Sequence, residues 1–215
     1  MMATAMLDMV TAELLLFAGV GLLIGGLDDL LVDLLYLVLR PWHRRAAPLP
    51  AKPLPCRFAI FVAAWQEAEV IGPMLRALLA RLEGDYRVYV GVYPNDLATL
   101  AIACGVAEGD PRVRVVINPR VGPTTKADNL NAMWAALAND RRRGWHADAL
   151  VLHDAEDLVH PRELQAFTSG FARSPVVQLP VLPLVKQSHW WAALVSGHYA
   201  DEFAEAHSSL KQLAA

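Results

Sequence analysis

Three carboxylates stand within four positions in the stretch HDAEDLVHP, where Asp154, Glu156 and Asp157 follow His153 and precede His160. Hard oxygen donors at this spacing suit magnesium or manganese bridging phosphate oxygens, and not zinc, which favours nitrogen and sulfur. A chain with 22 acidic residues in 215 supplies such a cluster about once by chance, so its meaning depends on what positions it. The preceding run ALVLH (149–153) reads as a buried strand. Side chains alternate in extended backbone, so Asp154 and Glu156 project to the same side. His153 and His160 admit two readings, as further ligands or as hydrogen-bonded structural residues.

The elements that must position these groups are written along the chain as alternating periods. Apolar runs rich in β-branched residues predict strands at 58–63, 87–93, 112–117, 149–153 and 176–182. Segments of helical period fall between them at 68–82, 97–107, 125–139 and 161–171, and 189–213 also reads as a helix. This alternation predicts an α/β fold, a mostly parallel sheet with helices on both faces and right-handed crossovers. Ligands of such sheets bind beyond the carboxyl ends of the strands. The polar groups there are Trp65, Gln66 and Glu67; Asn95 and Asp96; Asn118 leading to Thr124, Thr125 and Lys126; then Asp154, Glu156 and Asp157. Carboxylates, an amide, a lysine and an aromatic face on one edge suit a nucleotide with a metal-bound diphosphate. Taken singly, Lys126 reads as well as a solvated charge and Trp65 as a core aromatic.

Composition narrows the partners. The net charge is −3, and Lys and Arg form no long basic stripe interleaved with aromatics, which argues against nucleic acid. Cys56 and Cys104 have neither CxxC spacing nor a framework of pairs, which argues against structural zinc. The hydrophobic content of 55% and mean hydropathy of +0.30 are high for a soluble domain. The excess lies at the N-terminus: 1–40 reads as a membrane segment, with apolar residues from Leu14 to Leu39 interrupted by Asp28, Asp29 and Asp33. One spanning helix, or a shorter one followed by an amphipathic helix, would fit equally. Arg40, Arg44 and Arg45 follow it, which predicts that everything downstream is cytoplasmic. Residues 41–56 carry five prolines and read as a stiff linker, and 57–215 as the α/β domain.

The ordered set FVAAWQEAEVI, VYPNDLAT, GPTTKADNLN and HDAEDLVHP resembles the membrane-associated branch of glycosyltransferase family 2, whose catalytic domain has the GT-A (Rossmann-like) fold. GPTTKADNLN, HDAEDLVHP and VVQLPVLPL are similar, more narrowly, to the glycosyltransferase domain of the bacteriophage adsorption protein B family of bacterial inner-membrane proteins. The resemblance implies a nucleotide-sugar donor, with a uridine diphosphate sugar the expected one, held by Trp65, Glu67, Asp96, Lys126, Asn131 and Asp154. It implies Mg2+ or Mn2+ on Glu156 and Asp154, with Asp157 able to take over that role. It implies a glycan or lipid-linked acceptor, an inner-membrane location, and an outer-membrane or secretion-complex partner. Asp96 falls in the family's second acidic loop, which contacts the uracil or ribose, although Pro94-Asn95 stands where an Asp-Asp-Gly is usual. The family's general base lies well after the metal motif, so the catalytic base is expected beyond Ala215. The alternative is a membrane-anchored binding or assembly module that keeps the fold without transfer.

Overall fold

The computed structural model describes residues 2–39, 56–172 and 174–181, together with Ser196, Gly197 and Ala200 in helical conformation. The expected linker, apart from Cys56, and the expected 189–213 helix, apart from those three positions, lie outside the described residues. Two compact units are taken separately, one containing the N-terminal helix and the other spanning Ala47–Gln178.

The N-terminal helix α1 (Met2–Leu39) is a single continuous helix of 38 residues, so the two-helix alternative does not hold. At about 1.5 Å rise per residue it is about 57 Å long. Its stretch Thr4–Leu35 has a mean hydropathy of 2.0 and is long and apolar enough to cross a bilayer.

In the second unit the strands are β1 (Arg57–Ala63), β2 (Asp85–Val92), β3 (Val113–Ile117) and β4 (Ala149–His153). The helices are α2 (Ala68–Arg81), α3 (Leu97–Gly109), α4 (Lys126–Arg142) and α5 (Glu163–Phe171). All strand pairs are parallel and the order is β3-β2-β1-β4. Alternate residues divide the core as the pleat requires. Phe58, Ile60 and Val62 of β1 and Val88, Val90 and Val92 of β2 pack with Ile71, Leu75 and Leu78 of α2, Ala103 of α3 and Leu164 of α5. Ala59, Phe61 and Tyr89 face the other way, onto Met133 and Leu137 of α4. Burial on both faces explains why the central strands read as near-continuous apolar runs.

Two polar devices dock α4 on the sheet. Near its N-terminus the fully buried Asn129 donates from Nδ2 to Gly91 O at 2.9 Å. A Cβ at Gly91 would lie 2.9 Å from Asn129 Cγ and 3.0 Å from Met133 Cε, so this close approach requires glycine. Near its C-terminus Asp140, 2% exposed, accepts from Arg87 Nη1 (2.8 Å) and Tyr89 OH (2.9 Å) and pairs with Arg114 Nη1 (2.6 Å). Burial, then the Asp140 carboxylate, pushes the Tyr89 hydroxyl up to about 12.

The expected strand at 176–182 is a correction, since 176–181 carries no strand and residue 182 is outside the described set. Ser174 Oγ donates to Val176 O (2.8 Å) and accepts from Val176 N–H (3.3 Å), a local arrangement that competes with a ladder. Pro180 has no N–H to give one, and Val176 is 80% exposed.

Candidate active site

Strands β1 and β4 are neighbours, but the chain leaves β1 towards β2 and reaches β4 only after β3 and α4. Loops leaving the two strands in opposite directions open a crevice at their carboxyl ends. A cleft of about 350 Å³ lies there. The loop after β1 supplies Trp65 and Glu67, the end of β2 Tyr93, the loop and start of α4 Thr124, Lys126 and Asn129, and the turn after β4 Asp154, Ala155 and Glu156. Four of the residues expected from sequence to hold the donor, and two of the three expected on a metal, are thus brought together.

The local conformations have identifiable causes. Thr125 caps α4, its Oγ1 accepting from Asp128 N–H at 3.2 Å, which puts Lys126 in the first turn. There Lys126 Nζ pairs with Asp154 Oδ1. Asp157 Oδ2 accepts from Asp154 N–H (2.9 Å) and lies 3.2 Å from His153 Nδ1, closing the turn. His153 Nε2 lies 3.0 Å from Glu163 Oε1 at the start of α5. Burial opposes charge on His153, but Asp157 and Glu163 outweigh it and raise the imidazole to about 9. The His153 partner and then the Asp154 N–H, against burial, hold the Asp157 carboxyl below the ordinary range. Asp157 therefore braces the turn that presents Asp154 and Glu156, and does not line the cleft with them. His160 Nδ1 accepts from Arg162 N–H at 3.1 Å, a structural role.

The Glu67 carboxyl is raised above its ordinary range. Burial pushes it up first, and Glu156 and Asp154 add to this against the opposing pull of Lys126. Its Oε2 is buried without a hydrogen-bond partner among the described residues.

Asp96 and Asn131 are placed differently from expectation. Asp96, 8% exposed, caps α3 through Oδ1 and accepts from Gln66 N–H (2.6 Å) at Oδ2. Gln66 has φ +58, and this bond holds it in the left-handed region that non-glycine residues seldom occupy. Burial raises Asp96, but the bonds from Thr99 and Gln66 outweigh it and hold the carboxyl low. Asn131 is exposed on α4, and Asn129 lines the cleft in its place. The helical period carries the signal: Asn129 lies three positions from Lys126 and four from the buried Met133.

Residues 55–215 match the family described as glycosyltransferase like family 2. The chain belongs to this family. The chain is 36% identical over 200 aligned residues to bacteriophage adsorption protein B of Escherichia coli K12 and to bacteriophage N4 adsorption protein B of E. coli O157:H7, in each case over 88% of this chain. The chain spans about a quarter (26%) of the length of these relatives. Among solved structures, the mannosyltransferase PcManGT from Pyrobaculum calidifontis, in complex with GDP-Man and Mn2+, superposes with a TM-score of 0.50 at 21% identity. The match covers 70% of this chain and 42% of that one and shows the GT-A fold of the glycosyltransferase domain.

Proposed function

We propose that this glycosyltransferase domain binds a nucleotide sugar, with a uridine diphosphate sugar the expected donor, and transfers its glycosyl group to a glycan or lipid-linked acceptor. The site works at the cytoplasmic face of a bacterial inner membrane that α1 spans. The observation that carries this reading is the gathering of Glu67, Lys126, Asp154 and Glu156 at the carboxyl ends of the adjacent strands β1 and β4.

The residues present fit a divalent metal. Among the described residues no three His, Cys, Asp or Glu side chains form a closed metal cage. Magnesium and manganese at nucleotide sites need none, since one or two carboxylates with substrate phosphates complete the shell. Asp154 and Glu156 would hold the ion, and the rise of the Glu67 carboxyl, led by burial, includes a contribution from the charges of Glu156 and Asp154 that Lys126 opposes. A bound Mg2+ or Mn2+ would supply charge stabilisation to the departing diphosphate. Lys126 would bind that diphosphate and add a second positive charge. Trp65 and Tyr93 would form the wall against which the nucleoside lies.

The test is titration of the chain with uridine diphosphate, with and without Mn2+. Metal-dependent binding that is lost in the double variant Asp154→Ala, Glu156→Ala supports the reading. Affinity indifferent to both metal and variant sinks it. The names of the 36%-identical relatives favour a second reading, an adsorption or assembly component that keeps the fold. Sugar-nucleotide turnover by the longer protein, abolished by Asp154→Ala, would exclude it.

A further inference from the structure

His153 closes β4 directly before Asp154, yet its ring does not line the cleft. Carboxylates face both of its nitrogens. Nδ1 lies 3.2 Å from Asp157 Oδ2, and Nε2 lies 3.0 Å from Glu163 Oε1, an ion-pair contact without hydrogen-bond alignment. Glu163 is buried at the start of α5, next to the core residue Leu164. Asp157 Oδ2 also accepts from Asp154 N–H at 2.9 Å. A chain of contacts thus runs from α5 through the imidazole to the backbone of the turn that carries Asp154 and Glu156.

What this chain of contacts withholds is the third carboxylate of the turn. Asp157 sits beside the cleft: its backbone partner belongs to Asp154, and its carboxyl, held low first by His153, also feels the charge of Lys126. It does not line the cleft, because Oδ2 is engaged by His153 and by Asp154 N–H. His153 thus occupies Asp157 as Lys126 occupies Asp154. The two cations differ in burial. The Lys126 side chain is 55% exposed and open to a competing ligand, whereas that of His153 is 11% exposed and stays in place. Magnesium takes about six ligands, and each position that a protein carboxylate fills is lost to phosphate oxygens. A third carboxylate would also set more negative charge against a diphosphate.

We propose that His153 and Glu163 are positioning residues that keep Asp157 off the ion, so that Asp154 and Glu156 are its protein ligands and the rest of its shell is left to diphosphate and water. This rests on the donor-binding reading above. Glu163 fixes the ring, because a flipped imidazole would present carbons where the two carboxylates face nitrogens. With the clamp removed, Asp157 is free to turn to a cation, which then binds more tightly without nucleotide and accepts diphosphate less well. A merely structural clamp has the opposite sign for the metal, since a loosened turn holds it more weakly.

The experiment is Mn2+ titration of the full chain in detergent, followed by electron paramagnetic resonance, with UDP affinity in the presence of Mn2+ from calorimetry. It uses the wild type, His153→Gln, Asp157→Asn and the double variant. His153→Gln is expected to tighten Mn2+ binding by about tenfold and to weaken UDP binding by a similar factor. Asp157→Asn keeps an acceptor for Asp154 N–H and is expected to stay within about threefold of the wild type for Mn2+. The double variant is expected to match Asp157→Asn, because the gain requires the Asp157 carboxylate. If His153→Gln does not fold, Glu163→Gln replaces it in both backgrounds, with the same signs at smaller amplitude. Weaker or unchanged Mn2+ binding in the clamp variant overturns the proposal, as does an equal gain in the Asp157→Asn background. A loss of about tenfold or more in Asp157→Asn alone also overturns it, by showing that Asp157 is already a ligand. In each case Mn2+-dependent UDP binding by the wild type leaves the donor-binding reading standing. Wild-type UDP binding that is absent or indifferent to Mn2+ overturns both.

Discussion

Lys126 and Asp154 neutralise one another while the cleft holds nothing else. A diphosphate competes for the lysine and a cation for the carboxylate, so each ligand frees the partner the other needs. Lys126→Ala is therefore expected to tighten Mn2+ binding without nucleotide, since Asp154 loses its competitor, and to weaken UDP binding by about tenfold or more. Parallel Mn2+ and UDP titrations check both halves. A fall in both affinities would contradict the competition. The His153 clamp gives a pH signature in metal-free buffer. Its folded value of about 9 lies above the ordinary 6.5, so its stabilisation is complete below about 6.5 and lost as pH rises through about 9. Thermal melts of the wild type should fall across that interval more steeply than those of His153→Gln. Parallel slopes would show that the clamp is not charged. At this scale the sequence pointed to Trp65, Glu67, Asp154 and Glu156 because each lies just after a strand end, and to Lys126 because it opens the helix that follows the loop after β3. It did not show that Asp157 is turned to Asp154 N–H and His153, which depends on how the turn folds back, or that Asn129 lines the cleft while Asn131 is exposed, which spacing alone does not separate.

Helix α4 carries Lys126 at one end and is tied to the sheet at both, so its seating is what a variant should disturb. Asp140→Ala leaves Arg87, Arg114 and Tyr89 without their shared acceptor. A loss of about 3 kcal/mol is expected, towards the lower end for a broken buried pair because both arginines are partly exposed. Gly91→Ala forces Asn129 and Met133 outward and should cost about 1–3 kcal/mol through overpacking. Urea denaturation measures both, and neither variant should change the denaturant slope. The four strands and four helices of this unit were legible because burial on both faces forces continuous apolar runs between amphipathic stretches. The run at 176–182 has the same apolar character, but Ser174 and Pro180 divert its backbone hydrogen bonding. Apolar content marks a strand only where the backbone groups are free to join a ladder.

For the molecule as a whole, α1 is a helix long and apolar enough to cross a bilayer, and the proposed location rests on it. The chain is expected to remain with membranes through alkaline carbonate extraction, and recovery in the supernatant would count against a spanning helix. The strand order has a consequence for synthesis from the N-terminus. Arg57 at the start of β1 bonds Asp148, 91 residues later, just before β4. During translation β1, β2 and β3 can pair as they emerge, but β1 keeps an open edge until the ribosome has delivered β4. Asp154 and Glu156 arrive with that last strand, so a nascent chain has its aromatic wall long before it has anything to hold a metal. On the proposed donor-binding reading, the pair of carboxylates that would hold a metal-bound diphosphate is therefore in place only once β4 has joined β1.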